Sequence, residues 1–91
     1  MRTPTVHLNG TGAEELLRQL REAAESVSTA IDKVKAAAPH PRDYYVQSGE
    51  AGLIATREHI ERLRRLEEVH DELATMWRDV FAQSVKALRD G

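Results

Sequence analysis

Cysteine is absent from this chain of 91 residues. Disulfide bonds and thiolate metal sites are therefore excluded, and the absence fits an intracellular protein. A chain of this length buries only about 60–65% of the surface that its unfolded form exposes, so a single core is marginally stable. Oligomerisation is then the usual remaining source of stability.

Positive charge in excess and long apolar runs are also missing. The formal net charge is −2, which disfavours a protein that coats nucleic acid. No stretch approaches the ~18 apolar residues of a membrane span, and the opening "MRTPTVHLNG" lacks the apolar core of a signal peptide. We therefore expect a soluble intracellular protein that binds neither DNA nor a membrane.

The first helix is predicted over residues 12–38. Thr11 and Glu14 form a capping box at its start, and Pro39 ends it, because proline has no N–H and restricts the residue before it. An apolar stripe with alternating steps of four and three runs through it: Ala13, Leu17, Leu20, Ala24, Val27, Ile31, Val34 and Ala38. Such a seam requires a partner helix at a shallow crossing angle.

The second helix is predicted from about residue 49 to 89, after a connecting loop at 39–48. Ser48 is the expected N-cap, with Glu50 in the first turn. The stripe facing the first helix comprises Leu53, Thr56, Ile60, Leu63, Leu66, His70, Leu73, Trp77, Val80, Ser84 and Ala87. The sequence thus predicts an all-α fold, one domain over 1–91: a long antiparallel helical hairpin with an N-terminal arm at 1–10.

The two helices differ in length, about 40 Å against about 60 Å. On this count the last ten or more residues of the second helix lack a partner within the chain, although they are apolar. We therefore predict a homo-oligomer whose interface contains Trp77, Val80, Phe81, Val85 and Leu88, since exposed apolar patches mark interfaces. The alternative is a break near 75–79 that folds a third helix back.

Aromatic and charged side chains crowd the connecting loop. It reads "PHPRDYY", with Arg42 before Tyr44 and Tyr45. One tyrosine or both can close the open end of the hairpin core; alternatively, a tyrosine ring can stack on a planar ligand. Both interpretations stay open for the sequence alone.

Basic side chains cluster just after the loop: Arg57, His59, Arg62, Arg64 and Arg65. Arginine suits phosphate because its guanidinium donates two parallel hydrogen bonds. Four glutamates are interleaved with the arginines, namely Glu58, Glu61, Glu67 and Glu68. The simpler interpretation is therefore a solvated helix face with ion pairs at i,i+3 and i,i+4.

No enzymatic constellation is evident. The chain shows no nucleophile–base pair and no glycine-rich phosphate loop; "NGTG" at 9–12 is only a weak candidate for an anion site at a helix start. His59 and His70 are separated by about 16 Å along one helix and do not share a metal ion. His70 is expected in the core or an interface. We expect no enzyme, no metal and no cofactor.

The chain resembles a group of small helical proteins encoded by tailed bacteriophages and prophages, over about residues 6–75. The stretches that carry the resemblance are "HLNGT", "LLRQLREAAESVSTAIDKV", "PHPRDYY" and "REHIERLRRLEEVHDEL". Their distinctive residues are Asn9, Gly10, Thr11, Arg42, Asp43, Tyr44, Tyr45, Glu58, His59 and Arg62. The resemblance implies a phage context and the cytoplasm of the bacterial host, and it supplies no activity.

That context leads to two function hypotheses. The first is an anti-defence sponge, an oligomer that sequesters a cyclic nucleotide or an ADP-ribose-type immune signal at a subunit interface. Its ligand-binding residues would be Arg42, Tyr44, Tyr45, Arg57, His59 and Arg62. The second is a protein-interaction module that docks on a host or phage protein through Trp77 and Phe81.

Overall fold

Two long helices form the molecule in the computed structural model, which describes residues 1–6 and 12–90. Helix α1 spans Ala13–Ala36 and helix α2 spans Ala51–Asp90; the described residues contain no strand. The predicted all-helical hairpin is confirmed, and α2 is continuous, so the alternative break is wrong. Neither helix combines the length and the apolar character needed to cross a membrane, within the described residues.

The helix ends differ from prediction by about two residues. Helix α1 ends at Ala36, where the N–H of Ala37 donates to the carbonyls of Lys33 and Val34 at 3.2 and 3.0 Å. The chain must leave the helix before Pro39, because proline disfavours the helical conformation of the preceding residue. The predicted capping residue Thr11 lies outside the described residues.

Helix α2 begins after the residues predicted to start it. The Ser48 carbonyl accepts a hydrogen bond from the N–H of Ala51 at 3.3 Å, as part of a turn, so Ser48 and Glu50 precede the helix. The Ser48 hydroxyl makes no hydrogen bond among the described residues, so its predicted capping role is wrong.

The part of α2 that extends beyond α1 lies at the opposite end from the one predicted. Ala24 of α1 lines one groove with Ala74 and Trp77, and Ala37 lines another with Arg62. Helix α1 therefore lies antiparallel to the later part of α2, whose full length sets the 66 Å long axis of the molecule. The first turns of α2 lie beside the connecting loop instead of beside α1.

The described part of the N-terminal arm, residues 1–6, lies along the C-terminal part of α2. Both ends of the Gln83 side-chain amide hold it: Oε1 accepts from the N–H of Val6 at 2.8 Å, and Nε2 donates to the carbonyl of Pro4 at 2.9 Å. The Thr3 hydroxyl donates to Asp79 Oδ2 at 2.9 Å. The arm therefore runs in the same direction as α2, from Asp79 towards Gln83.

Val80 is fully buried, with 0% of its surface exposed, and it lies between Asp79 and Gln83, which hold the arm. Its predicted place in an interface with another subunit is therefore wrong. The prediction assumed that the two helices pair from the loop onwards, whereas α1 lies against the later part of α2. The arm, whose contacts are 76 to 79 residues distant in sequence, covers this part as well.

The core follows rows that repeat every seven residues. Along α1 the predicted stripe is confirmed from Ala13 to Val34, with Ile31 buried. Along α2 the innermost row contains the buried or half-buried residues His59, Leu66, Leu73 and Val80. The predicted first part of the α2 stripe is wrong, because Leu53 and Ile60 are 59% and 60% exposed, whereas the small residues Gly52 and Ala55 face inward.

Replacement of Gln83 by alanine should release the arm. We expect the free energy of unfolding to fall by about 1–3 kcal/mol, because two backbone groups of the arm lose their partner. Urea denaturation followed by circular dichroism measures the change. Glu72→Ala, an exposed position of α2 without an ion pair among the described residues, is the matched control. Equal stabilities of the two variants would contradict a docked arm.

Candidate functional site

A groove of about 440 Å³ lies where the connecting loop crosses the start of α2. We call it the loop groove. The loop side is lined by Ala37, Pro39, Tyr44, Gln47 and Ser48. The helix side is lined by Ala51, Ile54, Ala55, Glu58, His59 and Arg62. The volume falls within the ~300–1,000 Å³ of small-molecule sites, and the lining combines an aromatic ring with several polar groups.

A short 3-10 turn at Pro41–Asp43 determines where the loop places its aromatic residue. Pro41 begins the turn, and its carbonyl accepts from the N–H of Tyr44 at 3.0 Å. Nδ1 of His40 accepts from the N–H of Arg42 at 3.2 Å and so caps the turn. The crowded "PHPRDYY" segment therefore serves partly to fix the chain direction at Tyr44.

The two tyrosines have different environments. Tyr44 is half-buried against α2, where a Cβ added to Gly52 would lie 3.9 Å from the Cβ of Tyr44. Tyr45 is 76% exposed. Tyr44 is therefore the tyrosine that closes the end of the hairpin, and Tyr45 is free of the core.

A second depression, the tyrosine groove, adjoins the loop groove. It has a volume of about 360 Å³, and both tyrosines line it, together with Gly52, Leu53 and other residues of the same end. Tyr44 and Ser48 line both grooves. The end of the hairpin thus presents two adjacent concave surfaces that share one aromatic ring.

The four arginines at positions 57–65 of α2 are of two kinds. Arg64 is held in ion pairs, and the other three are unengaged, which here means without an ion pair among the described residues. Arg64 donates to Glu61 at 2.7 and 2.9 Å and to Glu68 at 3.1 Å, which matches the predicted solvated face. Arg57, Arg62 and Arg65 make no ion pair within residues 1–6 and 12–90. Of these, Arg62 lines the loop groove, so a guanidinium without an internal carboxylate partner borders the site.

The unengaged arginines share a shallow depression on the neighbouring side of α2. It has a volume of about 320 Å³ and is lined by Arg57, Glu58, Glu61, Arg62 and Arg65. Arg62 and Glu58 line both this depression and the loop groove. Cationic surface therefore continues from the loop groove onto the side of the helix.

The two histidines of α2 are buried to different extents. His59, predicted as a ligand-binding residue, is only 7% exposed and forms part of the inner wall of the loop groove. His70, expected in the core or an interface, is half-buried, with Nδ1 at 3.8 Å from Oδ1 of Asp71. The spacing of seven explains the burial of His59, since His59 continues the row of Leu66, Leu73 and Val80.

The predicted ligand-binding residues are only partly brought together. Tyr44, His59 and Arg62 meet in the loop groove, Tyr45 lies in the adjoining tyrosine groove, and Arg57 lies on the far side of Arg62. Arg42 is exposed and lines none of these three grooves. Sequence analysis missed Gln47 and Glu58 as lining residues, because only the path of the loop brings them there.

The predicted interface residues also fall into groups that differ in exposure. The rings of Trp77 and Phe81 stack with centroids 5.1 Å apart and planes inclined by 8°. Trp77 is half-buried, and its Nε1 is buried without a hydrogen-bond partner among the described residues. Phe81, Val85 and Leu88 are exposed. The apolar surface available near the end of α2 therefore consists of these three side chains and not of Val80.

The pairing of Arg64 predicts a pH effect at Glu61. The hydrogen bond from Arg64 holds the pKa of Glu61 below its ordinary value of 4.5. A lowered pKa in the folded chain means that the pair stabilises the fold above the unfolded pKa and loses this effect as pH falls through the folded pKa. Arg64→Ala should return the Glu61 pKa towards the ordinary value in a carbon-detected NMR titration. Arg62→Ala is the control, and an equal shift in that variant would contradict the pairing.

The fold and site define a helical hairpin with a mixed aromatic and cationic groove at its loop end. Comparison with protein-family models, with curated proteins and with solved structures finds no match for this chain.

Proposed function

We propose that this chain is a non-enzymatic protein that binds and sequesters a nucleotide in the loop groove. The observation that carries the proposal is the position of Arg62: it has no ion pair among the described residues and lines the same groove as the half-buried Tyr44. An aromatic face beside a guanidinium is the combination that a base joined to a phosphate requires.

Each lining group has a role in this proposal. Arg62 donates two parallel hydrogen bonds to a phosphate, and the Tyr44 ring packs against the base. Ser48 and Gln47 supply neutral donors and acceptors at the loop side. Glu58 accepts hydrogen bonds from a ribose hydroxyl or an exocyclic amino group.

Because the chain resembles phage proteins, the proposal also includes a biological role for the protein. A phage protein that removes a cyclic nucleotide or an ADP-ribose derivative from solution would act against host defence without turnover. Stoichiometric binding then replaces catalysis, so the amount of protein made limits the effect.

A thermal-shift screen tests the proposal. The panel contains cyclic dinucleotides, cyclic trinucleotides and ADP-ribose derivatives, with adenosine as the phosphate-free control. At a ligand concentration of 100 times Kd, selective binding stabilises the folded chain by about 2.7 kcal/mol, or roughly 10 °C or more in Tm for a domain of this size. An unchanged Tm with every ligand of the panel would contradict the proposal.

The exposed apolar side chains near the end of α2 favour a second candidate function. Phe81, Val85 and Leu88 are exposed and could pack against a host or phage protein. A chain that is monomeric in solution, binds none of the nucleotides and loses a specific partner on Phe81→Asp would favour this alternative.

A further inference from the structure

A row of residues at intervals of seven runs along the outside of α2. Its members are Leu53, Ile60, Glu67, Ala74, Phe81 and Leu88. Four of the six are large apolar residues, and these are 47% to 81% exposed. We call this the outer row; it spans about 52 Å of α2.

The outer row stays on one side of the hairpin over its whole length. The residues that face α1 next to it, Leu63, His70 and Trp77, also repeat at seven and are half-buried throughout. Two rows with the same period keep a constant angle between them, because both follow the supercoil of the helix pair. The outer row is therefore a second helix-packing seam. Its four large apolar residues have no partner helix within the described residues, whereas Ala74 also borders the groove beside Ala24 of α1.

We propose that a second copy of this chain covers the outer row, with the two α2 helices antiparallel about a two-fold axis. The row reads almost the same from either end, with two large apolar residues on each side of Glu67 and Ala74. Antiparallel pairing sets Leu53 opposite Leu88 of the second copy and Ile60 opposite Phe81 of the second copy. It also sets the long Glu67 opposite the small Ala74 of the second copy, as an isologous contact requires.

Charge distinguishes this arrangement from a parallel one. In a parallel pair Glu67 would face Glu67 of the second copy, which is unfavourable. In the antiparallel pair Arg78 of the second copy stands opposite Leu63, about 6 Å along the axis from Glu67. Neither Glu67 nor Arg78 has an ion pair among the described residues, so symmetry provides two such pairs across the contact.

The pairing also brings the loop end of one copy beside the C-terminal end of α2 of the second copy. Leu53 lines the tyrosine groove, so Leu88 and Arg89 of the second copy would lie beside that groove. A cation from the second copy would then border the end where we place the nucleotide. This consequence rests on the proposed function, whereas the pairing itself does not.

Disulfide crosslinking tests the pairing directly, because the native chain has no cysteine. Leu53→Cys and Leu88→Cys chains are mixed without nucleotide and oxidised. We expect a disulfide between Leu53→Cys of one chain and Leu88→Cys of the other, and none when either variant is oxidised alone. Val69→Cys, exposed on another side of α2, is the control and should not crosslink.

Sedimentation of the ligand-free protein provides the second measurement. The wild type should be a dimer, Ile60→Asp should raise its dissociation constant at least about tenfold, and Val69→Asp should leave it unchanged. Glu67→Arg should weaken the dimer, and addition of Arg78→Glu should restore it. A monomeric wild type, a disulfide between two Leu53→Cys chains, or a dimer in which the mixed pair does not crosslink would each overturn the proposal. All these measurements omit nucleotide, so a failure of nucleotide binding does not affect them.

Discussion

Arg62→Ala should lower nucleotide affinity by about ten- to a hundredfold, the loss expected for one charge-assisted contact to phosphate. Arg64→Ala should leave the affinity nearly unchanged. The two side chains are two positions apart on the same helix and carry the same charge. They differ in that Arg64 is held by Glu61 and Glu68, whereas Arg62 borders the loop groove.

Isothermal titration with the best nucleotide of the screen measures both variants. The comparison removes the general effect of net charge, because each variant loses one positive charge. Circular dichroism shows whether each variant keeps its helices. Equal losses of affinity in the two variants would mean that binding is a non-specific attraction to the basic stretch, which contradicts a site in the loop groove.

Val80→Ala should lower the free energy of unfolding by about 2–3 kcal/mol. Val80 is the one fully buried side chain among the described residues, and removal of two methyl groups loses their burial and leaves a cavity. A chain of this size has a total stability of roughly 5–13 kcal/mol, so the loss is a large share. The effect arises because Val80 is buried within the chain, in the part of α2 along which the arm lies.

Val69→Ala is the control for this change, since Val69 is exposed on α2 and the gain in helix propensity is the same. Urea denaturation should show a lower midpoint for Val80→Ala with an unchanged slope. The Val69→Ala midpoint should equal that of the wild type or exceed it. If both variants behaved alike, Val80 would not be buried in solution.

The sequence predicted α1 well for a definite reason. Its apolar residues are all of the kind that pattern analysis counts, and Pro39 enforces its end. In the first turns of α2, inward positions are occupied by Gly52 and His59, which pattern analysis does not count as apolar, whereas the large apolar residues Leu53 and Ile60 lie on the outside. The predicted stripe was therefore placed on the exposed side of these turns, where the large apolar residues lie.

The arm could not be placed from the sequence. Its contacts with α2 depend on one side-chain amide, Gln83, which pairs with backbone groups of Pro4 and Val6. The chain contains three glutamines, and nothing in the local sequence distinguishes Gln83 from the others. Consequently, Val80 was predicted in a subunit interface, although it is the most buried of the described residues.

The sequence predicted some residues of the candidate site but not how they are brought together. Tyr44 and Arg62 were both identified as unusual side chains, but their meeting depends on the 3-10 turn that directs the loop back along α2. The same turn carries Arg42 away from the groove. The ion pairs of Arg64 followed directly from the i,i+3 and i,i+4 spacing of its glutamates.

Binding of a nucleotide in the loop groove is tested most directly by an NMR titration of the labelled full chain with the nucleotide panel. The account predicts chemical-shift changes concentrated at Tyr44, Ser48, His59 and Arg62, with the Trp77 indole N–H unaffected at saturation. Unchanged spectra across the panel, or changes centred on Trp77 and Phe81 with none at Tyr44 and Arg62, would contradict it.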